Sequence, residues 1–218
     1  MTAAITIIRP EAIEARSFAI IEEEFENQTG RNPQEFAPEE FAIIRRVIHA
    51  TGDFSFAHSL RFHPEAIALA IAMLRAGRAI VTDVRMTMAG ISQQGLSRWG
   101  CPLFCELGRP KLAEEAAALG LTRSETAILS ALKHNPGLIV IGNAPTALLA
   151  VSKHCQEEPG QFKGVIVGVP VGFVNAAESK KLLASRNSPY ITSLGRKGGS
   201  PVAAAIVNAL IRLAAEGV

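Results

Sequence analysis

Apolar residues recur along much of the chain at the three- and four-residue spacing of a helix that buries one face. Phe41, Ile44 and Ile48 show this spacing most clearly, and they lie between Pro38 and Gly52. Proline suits the first turn of a helix and glycine suits its end, so we expect a helix that begins near Pro38 and ends before Gly52. The same spacing predicts helices over residues 10–27, 64–75, 110–119, 122–134, 146–154, 176–183 and about 201–215.

Shorter, continuous apolar runs predict buried strands, because a strand that is covered on both faces needs no polar side. These runs occupy residues 79–84, 103–107, 138–142, 164–172 and 189–193. In the final third of the chain each run turns at once into a helix, an order that requires parallel strands covered by helices. We therefore predict a single α/β domain over residues 1–218. It is a three-layer, Rossmann-like fold with a mainly parallel sheet of about five strands and helices on both faces.

The composition and charge narrow the class of protein. Of the 218 residues, 48% are hydrophobic, which supplies a sizeable core, and the net charge of +2 is too balanced to favour nucleic acid as a partner. The N-terminus lacks the pattern of a signal peptide, and no apolar run reaches about 18 residues, so we expect a cytoplasmic protein without a membrane span. Three irregularly spaced cysteines argue against a disulfide framework, and no cluster of ligands predicts a metal site.

A ligand cleft is expected at the carboxyl ends of the parallel strands, where open α/β sheets bind their ligands. The turns at this edge are residues 83–91, 142–146, 169–175 and 195–200. The first of these turns also fits an ordinary solvated loop. No strand leads into G-x-G-x-x-G or G-x-x-x-x-G-K-S/T, so a nucleotide-using enzyme is a weak alternative. Arg85, Arg123 and Arg196 instead favour a ligand that carries several carboxylates.

His49 is the strongest candidate for acid–base chemistry, because it falls in the last turn of the predicted helix before Gly52. There the unpaired carbonyls and the negative end of the helix dipole favour a protonated imidazole, which could donate a proton near neutral pH. The alternative is a histidine that only caps its own helix. Ser17 shares the apolar face of the first helix with Ile13 and Ile20, so its hydroxyl must bond either its own backbone or a bound molecule.

The helix predicted over residues 122–134 carries an unusual charge in its first turn. Thr122 and Glu125 have the spacing of a capping box, which predicts the start of this helix. Arg123 then lies at the positive end of the helix dipole, where a cation is unfavourable unless an anion is close. We therefore expect Arg123 to face a ligand or a neighbouring carboxylate.

Eight blocks of sequence occur in the order typical of one known family. They are residues 13–21, residues 47–52, the set Asp83, Met86, Gly90 and Ile91, and residues 122–124, 141–148, 168–174, 176–180 and 195–200. Over nearly its full length the chain resembles the precorrin-8X methylmutases of corrin biosynthesis, which include the cobalt-precorrin-8 methylmutases. Eight blocks in one order are far more specific than any single glycine motif.

The resemblance implies an isomerase that moves a methyl group between adjacent ring carbons of precorrin-8X or cobalt-precorrin-8, giving hydrogenobyrinate or cobyrinate. The implied reaction is an acid-assisted 1,5-sigmatropic shift that needs no cofactor. His49 matches the catalytic histidine of the family, Ser17 its substrate-contacting serine, and Arg123 an arginine of its site. A homodimer with active sites near the subunit interface is also implied. A non-catalytic tetrapyrrole carrier with the same fold is the alternative.

Together with the cleft, the resemblance predicts which side chains bind the acetate and propionate groups of the macrocycle. The expected substrate contacts are Ser17, Arg85, Arg123, Thr146, Arg196 and Lys197.

Overall fold

The computed structural model describes residues 9–216, except for the side chain of residue 11. The helices of this part are α1 (Pro10–Thr29), α2 (Pro38–Thr51), α3 (Phe56–Ser59), α4 (Ala66–Arg75), α5 (Arg85–Gly90), α6 (Gln93–Ser97), α7 (Leu112–Leu119), α8 (Arg123–Ala131), α9 (Pro145–Glu157), α10 (Ala176–Ala184) and α11 (Ser200–Glu216). The strands are β1 (Leu60–Phe62), β2 (Ile80–Thr82), β3 (Leu103–Phe104), β4 (Leu138–Ile141), β5 (Val165–Gly168) and β6 (Tyr190–Ser193). Two short 3-10 helices occupy Pro33–Glu35 and Leu132–His134.

The strands form one six-stranded sheet in the order β1-β6-β5-β4-β2-β3. Every neighbouring pair is parallel except β1 with β6, which is antiparallel. The direction in which the strand order grows reverses between β2 and β4. In open α/β sheets such a reversal opens a crevice outside the carboxyl ends of the strands.

Helices cover both faces of the sheet, as the alternation of side chains along β4 shows. Leu138 and Val140 belong to the larger core, which α2, α4 and α11 cover. Ile139 and Ile141 point the other way, into a second core beneath α8, α9 and α10. The predicted three-layer α/β fold is therefore confirmed. None of the helices in the described residues has both the length and the apolar character needed to cross a membrane.

Local signals predicted both ends of α2 and the start of α8 correctly. Helix α2 begins at Pro38 and ends at Thr51, and Gly52 follows with a φ of 66°, the left-handed conformation that glycine adopts readily. The capping box is also present: the Thr122 side chain accepts from the amide of Glu125 at 3.2 Å, and the Glu125 carboxylate accepts from the amide of Thr122 at 2.8 Å.

Four details of the structure differ from the sequence-based description. Residues 83–91 were expected as a turn, but α5 lies there because it packs on α11, with the buried Thr87 hydroxyl donating to Ser200 Oγ at 2.9 Å. The strand expected over residues 103–107 is only β3, two residues long. The apolar face of α1 is mostly uncovered: Ile13 is 49% exposed and Ile20 is 38% exposed. A sixth strand, β1, comes from a segment with no clear period.

Candidate active site

The turns that were expected to line a cleft meet at one edge of the sheet. Because β2, β4, β5 and β6 run parallel, the turns that follow them all lie at their carboxyl ends. Strand β1 runs the opposite way, so its beginning lies at this edge too, and the amide of Leu194 donates to the carbonyl of Ser59 at 2.8 Å. We call this side of the molecule the carboxyl edge.

His49 lies in the last turn of α2 and is exposed. The carbonyls of that turn are bonded by other groups: the Thr51 hydroxyl donates to the carbonyl of Val47 at 2.8 Å, and the amide of Gly52 donates to the carbonyl of Ile48 at 2.7 Å. Within the described residues the imidazole itself makes no hydrogen bond. The ring is therefore not used as a cap of its own helix, and both nitrogens are free for a ligand.

Helix α1 brings Ser17 to the same region. The ring of Phe18, the residue after Ser17, meets the His49 imidazole edge-on, with 5.4 Å between ring centroids. The Ser17 hydroxyl donates to the carbonyl of Ile13 at 2.9 Å, so in the free chain it bonds its own helix. The guanidinium of Arg45 also lies over the Phe18 ring, 4.3 Å from its centroid.

Ion pairs fasten α1 to its neighbours. Arg46 of α2 donates to Glu14 of α1 at 2.6 Å, and Arg212 of α11 pairs with the same carboxylate. Burial by itself would raise the pKa of Glu14, but the hydrogen bonds and charges of the two arginines outweigh it and lower the pKa. The carboxylate is thus ionised near neutral pH, which keeps Ser17 and His49 on adjoining helices.

Lys197 connects the His49 helix to the carboxyl edge. Its Nζ donates to Asp53 Oδ2 at 2.6 Å and to Ser55 Oγ at 2.9 Å, and both partners lie just beyond the end of α2. Burial would raise the pKa of Asp53, but the bonds from Lys197 and Ser55 lower it overall. The turn after β6 and the last turn of α2 are therefore joined, although 144 residues separate the bonded groups.

The turns after β5 and β6 are also bonded to each other. The amide of Gly199 donates to the carbonyl of Val169 at 2.8 Å, and the amide of Gly172 donates to the carbonyl of Arg196 at 3.2 Å. The Arg196 guanidinium lies 5.2 Å from the centroid of Phe173, a ring that is 82% exposed. This pair of turns presents one cation beside a large apolar surface, which suits a ligand that is itself part apolar and part anionic.

Arg123 and Thr146 lie together farther along the same edge. They begin or nearly begin α8 and α9, and the hydroxyl of Thr122 approaches that of Thr146 at 3.3 Å. Arg123 is exposed and forms no ion pair or side-chain hydrogen bond with the described residues. The part of the chain that the structure describes therefore supplies no anionic partner for Arg123.

A family model described as precorrin-8X methylmutase matches residues 12–213. The chain belongs to this family. The resemblance inferred from the eight sequence blocks is confirmed, and the chain is an isomerase, because methylmutases are isomerases.

Similar relatives cover most of the chain. The cobalt-precorrin-8 methylmutase of Priestia megaterium is 40% identical over 213 residues, which are 97% of this chain and 91% of the relative. The precorrin-8X methylmutase of Pseudomonas aeruginosa is 44% identical over 169 residues, covering 76% and 80% of the two chains. The solved structure of precorrin-8X methyl mutase from Thermus thermophilus has a TM-score of 0.84 at 35% identity, covering 95% and 97%.

The Asp83 carboxylate binds the backbone amides of the turn after β4, at the crevice where α/β enzymes often bind nucleotides. Its Oδ1 accepts from the amide of Gly142 at 3.0 Å, and its Oδ2 accepts from the amides of Asn143 and Ala144, each at 2.8 Å. Burial raises the pKa of Asp83 above its ordinary value, although these amides oppose the shift. The amides that could bind a phosphate are already occupied, which argues against the nucleotide-using alternative in this family member.

Arg85 lies at the other end of the sheet from His49. It begins α5, after β2, and its guanidinium lies so close to Gly108 that an added Cβ there would come within 2.6 Å of Nη2. It borders a cavity of about 490 Å³ together with Phe104. Three strand spacings, about 14 Å, separate β2 from β6. Within the described residues, contacts link the helices of Ser17 and His49 to the turn that carries Lys197, whereas Arg85 lies apart from them.

Two residues with clear structural roles were not among the predicted site residues. Asp83 was noticed as a charged residue after a strand and as part of a family block, and Lys180, which donates to the carbonyl of Lys197 at 2.6 Å, was named only as the last residue of the block 176–180. Neither role has a local signature, because the partners of both side chains are distant in sequence. Among the described residues no group of three or more His, Cys, Asp or Glu side chains is arranged to hold a metal ion.

Proposed function

We propose that the chain converts precorrin-8X or cobalt-precorrin-8 to hydrogenobyrinate or cobyrinate by moving one methyl group between adjacent ring carbons. The observation that carries the proposal is the position of His49. An exposed imidazole without a hydrogen bond to residues 9–216 lies on the helix end that Lys197 joins to the carboxyl edge. The cations of that edge suit a macrocycle that carries many carboxylates.

The reaction needs a proton donor and little else from the protein. In a 1,5-sigmatropic shift the bond from the methyl carbon to one ring carbon breaks as its bond to the neighbouring ring carbon forms, and the ring π electrons relocate. No atom is lost and nothing is oxidised. Protonation of the ring system by His49 would make the migration terminus electron-poor, so that it accepts the migrating methyl group, and the proton returns to His49 or solvent afterwards. Positioned acid catalysis of this kind contributes about 10²–10⁴-fold in rate.

Binding of the carboxylates would orient the ring for this step. Arg196 and Arg123 are exposed and unpaired with acidic groups in the described chain, so each can take a carboxylate, with Thr146 beside Arg123. Lys197 already donates two of its three ammonium hydrogens to Asp53 and Ser55, so it can give a ligand only one. Fixed orientation lowers the entropic part of the barrier.

We further propose that the active protein is a homodimer. Ile13 and Ile20 are exposed on α1 on either side of Ser17, and Phe173 is exposed at the turn beside Arg196. A second copy that covers these apolar side chains would also enclose Ser17 and His49, which one chain leaves open to solvent. Arg85 would then serve either the same ring or the partner's site. A cytoplasmic location agrees with three free cysteines.

The decisive test is conversion of precorrin-8X or its cobalt form, followed by the change in visible spectrum from substrate to corrin. His49→Ala should lower kcat by about 10²-fold or more and leave product binding within a few fold. His154→Ala is the matched control, since His154 also lies in the last turn of a helix, α9. Normal turnover by His49→Ala would refute the assigned role. Binding without conversion by the parent chain would favour the carrier instead.

A further inference from the structure

Lys180 is a fully buried lysine beneath the turn that follows β6. It lies in α10, its side chain is 0% exposed, and its Nζ donates to the carbonyl oxygen of Lys197 at 2.6 Å. Among the described residues no carboxylate pairs with it. Burial alone therefore lowers the pKa of Lys180, to about 8. The proposed reaction gives this side chain no part.

The carbonyl that accepts from Lys180 belongs to Lys197, a residue that makes several hydrogen bonds to other elements. The same oxygen also accepts from Ser193 Oγ at 3.1 Å. The side chain of Lys197 reaches in the opposite direction, to Asp53 and Ser55 beyond the end of α2. Residue 197 thus joins α10, β6 and the His49 helix through one backbone carbonyl and one ammonium group.

The residues on either side of Lys197 are fixed by the same arrangement. The carbonyl of Arg196 accepts from Gly172, and the amide of Gly199 donates to Val169. Gly198 between them has a φ of 158°, and a Cβ there would fall well inside contact distance of the Val169 carbonyl. The backbone of this turn is therefore constrained to one conformation, from which the exposed Arg196 side chain extends toward solvent.

We expect a lysine at position 180 to add no stability to the fold. Burying an ammonium group away from any carboxylate is unfavourable, and a well-packed apolar side chain of similar shape often replaces such a charge without loss. The Lys197 carbonyl would keep its bond from Ser193 Oγ. The buried ammonium of Lys180 lies against the turn that carries Arg196 and Lys197, the two cations assigned to substrate binding. We therefore expect this lysine to have a role other than stability.

We propose that Lys180 is a positioning residue that holds the Lys197 carbonyl so that Arg196 and Lys197 meet the carboxylates of the substrate. The inference rests on the proposed function, since it assigns these cations to substrate binding. Lys180 itself does not touch the substrate. Its effect passes through the backbone of residue 197 to the side chains on either side of that carbonyl.

The test compares Lys180→Met with Lys181→Met, which alters the exposed neighbouring lysine of the same helix. Lys180→Met should fold with an unchanged or higher thermal midpoint, raise KM by about 10-fold or more, and change kcat less. Combined with Arg196→Met, it should raise KM by less than the product of the two single effects, because both changes weaken the Arg196 contact while the effect through Lys197 remains. KM within twofold of the Lys181→Met value would overturn the proposal. So would a Lys180→Met chain that fails to fold, since the proposal gives the lysine no share in stability.

A second variant and a second measurement keep this inference separate from the proposed function. Ser193→Ala removes the other donor to the same carbonyl and should also raise KM, by less than Lys180→Met. Amide hydrogen exchange at Gly172 and Gly199 should be faster in Lys180→Met than in Lys181→Met, in the free protein without substrate. If the parent chain shows no turnover, the proposed function fails, whereas equal exchange rates in the two lysine variants refute the positioning role by themselves.

Discussion

Replacing Asp83 by asparagine removes one of the two side-chain oxygens that accept hydrogen bonds from the amides of a buried turn. The carboxylate accepts three backbone amides, from Gly142, Asn143 and Ala144. An asparagine oxygen in the place of Oδ2 keeps two of them and turns its NH₂ group toward the amide of Gly142. One buried amide left without an acceptor costs about 1–3 kcal/mol, and the two kept bonds lose their charge assistance, about 1 kcal/mol each. Relief from burying a charge offsets part of this, so we expect a loss of about 2–4 kcal/mol.

The assay is reversible urea unfolding followed by circular dichroism, with a thermal scan beside it. A loss of about 2–4 kcal/mol corresponds to a fall in Tm of about 4–16 °C for a chain of this length. Glu114→Gln, which neutralises an exposed carboxylate on α7, is the control and should stay within about 0.5 kcal/mol of the parent. If Asp83→Asn unfolds at the same urea concentration as Glu114→Gln, the three amides are satisfied by something other than the carboxylate, and the reasoning is wrong.

Three further outcomes follow from the structure. Burial lowers the pKa of Lys180 to about 8 from 10.5, so between these pH values the unfolded chain binds more protons than the folded chain. This group therefore makes the free energy of unfolding of the parent rise with pH in that range. In urea titrations, the stability advantage of Lys180→Met over the parent should shrink by about 1.4 kcal/mol between pH 8.5 and 9.5. Gly198→Ala should raise KM and lower Tm, because its Cβ would overlap the Val169 carbonyl; an unchanged KM would mean that the turn adapts. Ile20→Glu should convert the proposed homodimer to monomers in sedimentation experiments, whereas Leu119→Glu on α7, at a residue that is 64% exposed against 38% for Ile20, should not.

Local chemistry was enough to predict most of the fold. A proline and a glycine define the ends of α2, and a capping box defines the start of α8, because each of these signals acts on the single helical turn beside it. Long buried strands such as β4 are continuous apolar runs. Strand β1 and helix α5 escaped prediction because three or six residues are too few for a period to show. Both exist because they pack, β1 on β6 and α5 on α11.

The features of the candidate site likewise fall into those that the sequence predicted and those that only the structure revealed. The sequence by itself determined that a histidine ends an amphipathic helix, that cations lie in the turns after the strands, and that the blocks around them are those of the methylmutases. Only the tertiary structure decided that Lys197 joins the His49 helix to the carboxyl edge, that Asp83 holds the turn after β4, and that Lys180 is buried beneath its partner carbonyl. The physical reason is distance along the chain. Helix caps and apolar periods depend on residues that are close in sequence. These hydrogen bonds join groups up to 144 positions apart, which meet only after the sheet has formed.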